Sequence, residues 1–275
     1  MSKTDYPECA PTRVVELSRS NRLTPDHLVA EAPLQLSVNG RRFAVLMRTP
    51  NTHTDSDIDL AVGFLLSEGV IEDWEDLDGV AHCSDPSNVN AAHSLIVQLR
   101  SGCPLPEILR TAKRATTVSS SCGVCGRMDV DALTPEFPDR INFKKPSEVL
   151  IRTLPDLLRN AQELFEVTGG IHGAGLVRSD GTLLLKTEDI GRHNAMDKLI
   201  GRAIRLGIPE LEGGIVVVTS RISFDLVQKA LMAGVSTLVG VGAASDLAHR
   251  IAAKAGLHLF SFTKASTTNY HPTNE

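Results

Sequence analysis

The last third of the chain most limits the folds this sequence can adopt, because short apolar runs alternate there with helical patterns. The apolar runs cover residues 214–220, 236–242 and 257–262, and apolar residues recur at helical spacing over 221–234 and 245–256. Short apolar strands separated by helices are typical of a parallel sheet covered by helices. We therefore predict an α/β domain at the C-terminal end of the chain.

A smaller mixed unit is predicted ahead of that domain. Asn39-Gly40 joins two partly alternating segments, and this dipeptide is a strong signal for a β-hairpin. Ser56, with Asp59 three residues later, predicts the cap of a helix. Together with an apolar strand over residues 94–100, these elements predict an α+β fold.

Changes in composition divide the chain into four segments. Residues 1–30 are polar and have no clear period, so we predict a flexible N-terminal arm. Residues 31–130 would form the smaller α+β domain, which ends in a loop with two cysteines. Residues 131–150 contain three prolines and predict a linker or crossover. Residues 151–275 would form the α/β domain, which opens on a helix capped by Thr153.

Composition and charge argue against several classes of partner. The formal net charge of −5 gives no broad attraction to phosphate backbones, and aromatic residues make up only 4% of the chain, too few for a base-stacking platform. No apolar run approaches the roughly 20 residues that span a bilayer, and the N-terminus lacks the apolar core of a secretory signal. The five cysteines have irregular spacing, which is typical of reduced thiols in a cytoplasmic protein. We expect no nucleic-acid partner and no membrane insertion.

The loops after the three predicted parallel strands are the first candidates for a binding site, because ligands of open α/β sheets bind beyond the carboxyl ends of strands. Those ends fall at residues 219–221, 242–245 and 262–267, which are small and polar and include Arg221 and Lys264. Backbone amides at helix N-termini, together with these cations, suit an anionic, phosphate-bearing ligand. Ordinary capping loops have the same composition, so the residues alone support both interpretations equally.

A second candidate is the polar segment 188–201, EDIGRHNAMDKLIG. For most such segments a charged, solvated helix face is the better interpretation. Arg192 and His193 nevertheless stand at the predicted helix start, where backbone N–H groups and hydrogen-bonding side chains favour an anion. His172, in GGIHGAG, is a candidate ligand or acid–base group. A histidine among glycines is more often a structural hydrogen-bonding residue.

Two cysteines, Cys122 and Cys125, stand three positions apart in the segment SSSCGVCGR. A structural zinc site needs four ligands, and the sequence has no second CxxC pair. Zinc stays open as a minority interpretation, because four other residues are available to complete a site: Cys83, Cys103, His82 and His93. A thioredoxin-type motif fits poorly, because the preceding TAKRATTVSSS is polar and basic where that motif follows a buried strand. The zinc-deaminase order, with H-x-E ahead of the pair, is also missing.

The setting of this pair favours a reactive thiol. Lys113, Arg114 and Arg127 are close to it in the sequence, and neighbouring cations lower the pKa of a thiol and so increase its thiolate fraction. Gly123 and Gly126 make the loop flexible. A flexible loop with a nucleophilic sulfur is suited to carrying a group between two sites.

Five further segments, in a fixed order around the cysteine motif SCGVCG, give the chain a specific resemblance to a known family. They are EAPLQLSVNG, DLAVGFLLSEGVI, EDIGRHNAMDKLIG, TSRISFDLVQKALMAGV and LHLFSFTKAS. With them the chain resembles the FdhD family, the formate dehydrogenase accessory sulfurtransferases, over most of its length.

The resemblance implies a sulfurtransferase that takes persulfide sulfur from a cysteine desulfurase. It would pass this sulfur to the molybdenum or tungsten bis-guanine-dinucleotide cofactor that formate dehydrogenase needs. Cys122 would carry the persulfide and Cys125 would assist or resolve it. The bound acceptor would be molybdenum bis(molybdopterin guanine dinucleotide), and we expect no tightly bound catalytic metal of the protein's own.

The fold implied by the resemblance has two parts. The C-terminal domain would be a cytidine deaminase-like, three-layer α/β domain with a mostly parallel sheet and without the zinc site of the deaminases. A smaller N-terminal α+β domain would stand beside it, and the protein would be a homodimer.

The family's cofactor-binding loop maps onto six consecutive residues, which are Phe262, Thr263, Lys264, Ala265, Ser266 and Thr267. This mapping agrees with the strand-end argument, and we add Arg221, Arg192 and His193 to the candidate cofactor site. Members often carry Gly-Arg in this loop where this chain has Ser266-Thr267. The resemblance therefore implies a loop without that guanidinium and its bidentate phosphate contact.

Two other interpretations stay open on the sequence. A non-catalytic chaperone would bind the molybdenum cofactor and deliver it without sulfur transfer, so that it would need Arg221 and Lys264 but neither cysteine. A zinc-stabilised binding domain would contain stoichiometric zinc and would unfold on chelation. The setting of the cysteine pair favours the transferase over both.

Overall fold

The computed structural model describes residues 9–16, 22–50, 54–85, 87–101 and 143–273. Within these residues the chain forms three sheets and six α-helices. Short 3₁₀ turns add to them at Trp74–Asp76, Ala91–His93 and Pro209–Leu211.

The smallest sheet pairs β1 (Cys9–Glu16) with β2 (Arg22–Val29) in an antiparallel ladder. This pairing differs from the flexible arm that the sequence predicts for residues 1–30. A two-stranded ladder is only marginally stable by itself, and this one packs against Leu164 and Ile171 from a later part of the chain. The long-range contact explains why the local sequence gave no clear signal.

A four-stranded sheet follows, with the strand order β4-β3-β6-β5. Its strands are β3 (Ala32–Val38), β4 (Arg41–Arg48), β5 (Leu77–His82) and β6 (Ser94–Leu99). β3 and β4 form the hairpin that Asn39-Gly40 predicts, and the two turn residues have φ angles of 47° and 76°. Positive φ at both positions suits a type I′ turn, which asparagine and glycine adopt with little strain.

The six-stranded sheet has the order β12-β11-β10-β9-β7-β8. Its strands are β7 (His172–Val177), β8 (Leu183–Asp189), β9 (Ile215–Val218), β10 (Thr237–Gly240), β11 (His258–Lys264) and β12 (Thr267–His271). β9, β10 and β11 pair in parallel, as the C-terminal pattern predicts. The sequence predicts a second hairpin over residues 176–186 that turns at Asp180-Gly181, and β7 and β8 pair antiparallel across this turn. The sequence analysis did not predict that β7 also pairs antiparallel with β9, or that β12 pairs antiparallel with β11. Four of the six strands, β8 to β11, still run in one direction.

The six helices are α1 (Thr54–Ser67), α2 (Glu148–Asn160), α3 (Glu163–Thr168), α4 (Arg192–Arg205), α5 (Phe224–Met232) and α6 (Asp246–Ala255). Val217 and Val239 pack in one core with α2, whereas Val216 and Leu238 pack in another with α4, α5 and α6. The large sheet therefore has helices on both faces. This arrangement confirms the predicted three-layer α/β fold.

The predicted start of α2 is wrong by several residues. Ser147 caps the helix, because its hydroxyl accepts a hydrogen bond from the backbone N–H of Leu150 at 3.3 Å. Thr153 lies inside the helix and donates its hydroxyl to the Leu150 carbonyl at 2.7 Å. A threonine in a helix can satisfy its hydroxyl in this way, so its presence alone does not mark a helix end.

α1 joins the two large sheets, because one hydrophobic core runs from the four-stranded sheet through α1 and α4 to the six-stranded sheet. The two helices cross where Gly63 of α1 meets Gly201 of α4. A Cβ atom at Gly63 would overlap the Asp197 carbonyl oxygen, and one at Gly201 would overlap the Asp59 carbonyl oxygen. Backbone therefore touches backbone at this crossing.

The predicted linker or crossover at residues 131–150 stays a prediction, since most of that segment lies outside the described residues.

We expect Gly63→Ala to destabilise the protein by about 3 kcal/mol, because the added methyl group must push two helix backbones apart. Gly79→Ala is the matched control, since a Cβ atom there would meet nothing within 4 Å. Urea unfolding followed by circular dichroism measures both variants. Equal unfolding midpoints for the two would show that α1 and α4 are not held at this contact.

Candidate functional site

A cavity of about 620 Å³ opens at the carboxyl edge of the parallel strands. Thr219 follows β9, Val241 follows β10 and Thr263 stands near the end of β11, and all three line the cavity. His172 lines it too, because β7 runs antiparallel to β9 and so begins at this edge. Open α/β sheets bind their ligands at such an edge.

The second wall of the cavity comes from the end of α2 and from α3. Arg159, Gln162 and Phe165 line it. The guanidinium carbon of Arg159 lies 3.5 Å from the centre of the Phe165 ring, and its Nη2 lies 3.7 Å from a carboxylate oxygen of Glu166. This stack places a planar cation at the cavity wall, where it can contact phosphate or an aromatic ring.

Glu188, at the end of β8, fixes the start of α3. Its carboxylate accepts hydrogen bonds from the backbone N–H groups of Leu164 at 3.2 Å and Phe165 at 3.0 Å. Burial raises the pKa of Glu188 above its usual value, while these two hydrogen bonds act in the opposite direction. A carboxylate at the first turn of a helix satisfies amides that have no partner within the helix. Glu188 thus positions the α3 wall.

The third wall is the turn between β11 and β12, where Lys264, Ala265 and Ser266 line the cavity. Phe262 precedes them with a φ angle of 50°, and its side chain is 48% exposed. A bulky residue in the left-handed region is strained. Its backbone N–H is held by the Gly242 carbonyl at 2.9 Å. The strain presents an aromatic ring to solvent beside the cavity.

Several polar residues of the segment 188–201 are buried and bonded within the fold. The interpretation of this segment as a solvated helix face is therefore wrong for these residues. Asp189 is fully buried and its carboxylate lies 2.7 Å from the ammonium group of Lys198. Asp189 also accepts hydrogen bonds from Thr49 N–H at 3.1 Å and from the Asn194 side chain at 3.0 Å. These buried groups are bonded to one another and to the backbone. They attach α4 to the loop after β4.

His193 lies close enough to His172 for its charge to lower the pKa of His172. His193 is buried, with its Nε2 atom 3.5 Å from a carboxylate oxygen of Asp225 on α5. The hydrogen bond from His193 lowers the pKa of Asp225. Burial lowers the pKa of His172, and the positive charge of Arg192 lowers it further.

The family of the chain follows from comparison with known proteins. The model that describes the FdhD/NarQ family matches residues 29–275. The chain belongs to the FdhD/NarQ family. It is 40% identical over 252 residues to a protein of Streptomyces avermitilis named sulfur carrier protein FdhD, covering 90% of this chain and 87% of that protein. A protein of the same name from Mycobacterium bovis is 39% identical over 267 residues, covering 94% and 95%.

A solved structure supports the fold of this FdhD/NarQ chain. It is described as a formate dehydrogenase accessory protein from Desulfotalea psychrophila, and it superposes with a TM-score of 0.74. The match covers 98% of this chain and 99% of that chain at 21% sequence identity. At this identity the similarity concerns the fold alone.

The structure of the FdhD/NarQ chain brings part of the predicted cofactor loop to the cavity. The loop residues that line it are Thr263, Lys264, Ala265 and Ser266. Phe262 and Thr267 flank them in the chain. Cys122 and Cys125 lie outside the described residues, so their roles stay predictions.

The other predicted binding residues occupy three different settings. Arg221 is exposed, next to Gly242 after β10. Arg192 begins α4, and its Nε atom is buried with no hydrogen-bond partner in the described part of the chain. His193 is buried on the same helix. Whether these residues bind a cofactor stays a prediction.

Sequence reasoning missed Arg159, Gln162 and Phe165. Arg159 stands near the end of the amphipathic helix α2, Gln162 directly precedes the short helix α3, and Phe165 lies in α3. No motif surrounds these residues. These residues reach the cavity because α3 leads directly into β7, and β7 pairs antiparallel with β9. Only the tertiary structure shows this pairing. No local pattern in the sequence encodes that neighbour.

The zinc interpretation is not tested by the structure, because Cys122 and Cys125 lie outside the described residues. No three of the described His, Cys, Asp and Glu side chains form a group that could hold a metal ion. Cys83 instead accepts a hydrogen bond from the Asn88 side chain at 3.5 Å. Over the same residues, no helix is long and apolar enough to cross a membrane.

We expect Phe262→Gly to be more stable than Phe262→Ala by about 1 kcal/mol, because glycine adopts the left-handed backbone region without strain. Both variants lose the exposed ring equally, which makes them a matched pair. Urea unfolding midpoints give the comparison. Equal midpoints would mean that the backbone at this position is not held in the left-handed region.

Proposed function

We propose that this chain is a sulfur carrier that takes persulfide sulfur from a cysteine desulfurase. It transfers the sulfur to the molybdenum, or tungsten, bis-guanine-dinucleotide cofactor before the cofactor enters formate dehydrogenase. The names of its relatives, sulfur carrier protein FdhD, support the first part. The transfer to the cofactor is supported by the cavity at the carboxyl edge of the parallel strands, which is lined on one side by the loop 263–266.

The side chains of the cavity fit a phosphate-bearing nucleotide. Lys264 and Arg159 supply positive charge, while Thr219 and Ser266 supply hydroxyl groups. Arg159 provides a guanidinium from α2, in a chain whose loop lacks the arginine that family members often carry. A cavity of this size suits one nucleotide portion of the cofactor.

The first transfer conserves electrons and needs no oxidant. The Cys122 thiolate attacks the outer sulfur of the donor's persulfide, a new S–S bond forms on Cys122, and the donor cysteine leaves as a thiolate. Lys113, Arg114 and Arg127 in the same part of the sequence favour the attacking thiolate. The predicted flexibility at Gly123 and Gly126 would let the loaded thiol reach the cofactor.

The second transfer delivers the outer sulfur to the metal of the substrate cofactor. Two electrons from the reduced metal pass to this sulfur, the S–S bond breaks and Cys122 leaves as a thiolate. Cys125 assists by shielding or resolving the persulfide. On this proposal the partners are a cysteine desulfurase and the catalytic subunit of formate dehydrogenase, and the carrier acts in the cytoplasm as a homodimer.

Incubation with a cysteine desulfurase and cysteine should add one reducible sulfur to the peptide that contains Cys122. The Cys122→Ala variant should gain none, while the control Cys83→Ala should load like the unchanged protein. Peptide mass spectrometry with and without reductant measures this. Loading that persists in Cys122→Ala would remove Cys122 as the carrier. An absence of loading in every variant, with nucleotide binding intact, would favour the cofactor chaperone.

Replacing Lys264 with glutamine should weaken binding of a guanosine diphosphate ester by about tenfold, because a charge-assisted phosphate contact is lost. Persulfide loading of Cys122 should not change, since loading does not use the cavity. Lys254→Gln on α6, an exposed lysine outside the cavity lining, is the matched control. Calorimetric titration with GDP-mannose gives the affinities. Unchanged binding by Lys264→Gln would remove this loop from the nucleotide site.

A further inference from the structure

His172 has no structural partner for its imidazole. The ring lines the cavity and is half-buried, yet neither nitrogen forms a hydrogen bond or ion pair with any residue in the described part of the chain. By contrast, the imidazole of His271 lies 2.7 Å from the Ser261 hydroxyl, and that of His258 lies 2.8 Å from the Phe143 carbonyl. The structural role most common for a histidine among glycines is therefore absent at His172.

The charges around His172 come from several elements. Arg192 and His193 on α4 disfavour its protonated form, and Asp189 at the end of β8 favours it. The net effect of burial and these charges is a pKa below the usual value, so the ring is neutral at pH 7. A neutral imidazole with both nitrogens available can either accept or donate a hydrogen bond.

Three further charged groups line the same cavity. Asp156 and Arg159 stand on α2, and Lys264 stands at the end of β11. The cations outnumber the carboxylate, so the cavity suits a negatively charged ligand. An anion placed among Lys264, Arg159 and His172 would favour the imidazolium form, which donates a charge-assisted hydrogen bond.

We propose that His172 is an anion-binding residue of this cavity and takes up one proton from solvent when a phosphate-bearing ligand binds. The inference rests on the proposed function for the choice of ligand, a diphosphate ester of guanosine. It adds His172 to the proposed ligand site, beside the residues of the strand-end loops and apart from the cysteine chemistry.

Proton uptake fixes the pH dependence of binding, because linkage between the two events is reciprocal. The ring would titrate at higher pH with the ligand bound than without it. Affinity therefore rises as the pH falls through the interval between these two values, and it is constant above and below. One proton changes the affinity by at most about tenfold per pH unit.

The test uses calorimetric titration of the full chain with GDP-mannose between pH 5.5 and 8.5, in two buffers with different ionisation enthalpies. Both phosphates of this ligand are esterified, so the ligand itself does not titrate in this range. We expect affinity to rise toward low pH, with a net proton uptake that is greatest between the free and bound titration midpoints and reaches about half a proton per ligand for a rise of about 1 pH unit. His172→Gln should bind without pH dependence, and the control His249→Gln on α6 should keep the dependence of the unchanged protein.

A second measurement follows the His172 ring by NMR in the unchanged protein, with and without sodium sulfate. We expect sulfate to raise the titration midpoint by about 1 pH unit. If GDP-mannose fails to bind at every pH while sulfate raises the midpoint, the proposed function of the cavity is wrong and the anion-binding role of His172 stands. A midpoint that neither anion moves, or pH dependence that persists in His172→Gln, would overturn the inference.

Discussion

The rest of the structure depends on the crossing of α1 and α4. Gly63 and Gly201 let the two helix backbones touch, and next to this contact the buried carboxylate of Asp197 lies 2.8 Å from the Lys229 ammonium group and 2.9 Å from the Ser67 hydroxyl. Burial raises the pKa of Asp197, and Lys229 opposes that effect. Removing one partner of such a pair typically costs about 3–5 kcal/mol, since the other charge stays buried. The crossing thus fixes three helices in one arrangement.

A second polar cluster sets the angle of α4 to the sheet. The Lys198 ammonium group contacts the Asp189 carboxylate at 2.7 Å and the Thr49 carbonyl at 3.2 Å. The hydroxyl of Thr49 accepts a hydrogen bond from the Ile190 N–H at 3.0 Å. Buried polar groups are retained only when their hydrogen bonds are satisfied. This cluster therefore places the start of α4, with its Arg192 charge, beside the cavity.

The cavity combines a rigid edge with one strained element. The ends of β7, β9, β10 and β11 contribute lining residues to one side of the cavity, and Glu188 positions the start of α3 at the other. Next to the cavity, Phe262 is kept in an unfavourable backbone conformation, at the bulge between β11 and β12. Strain of this kind persists where surrounding contacts over-determine the backbone, and it is frequent at binding sites. The charge of the site comes from Lys264 and Arg159, which stand on different layers of the fold.

Local rules explain what could be predicted from the sequence. The apolar runs of β9, β10 and β11 and the Asn39-Gly40 turn depend on neighbouring residues only, and both predictions are confirmed. The strand end after β11 is also recognisable by its own residues, and the structure places this loop in the lining of the cavity; its role in binding a cofactor stays a prediction. Only the tertiary structure decided that β7 inserts antiparallel beside β9, which brings His172 and Arg159 to one cavity. Such pairings join residues far apart in the chain, and no local periodicity carries that information.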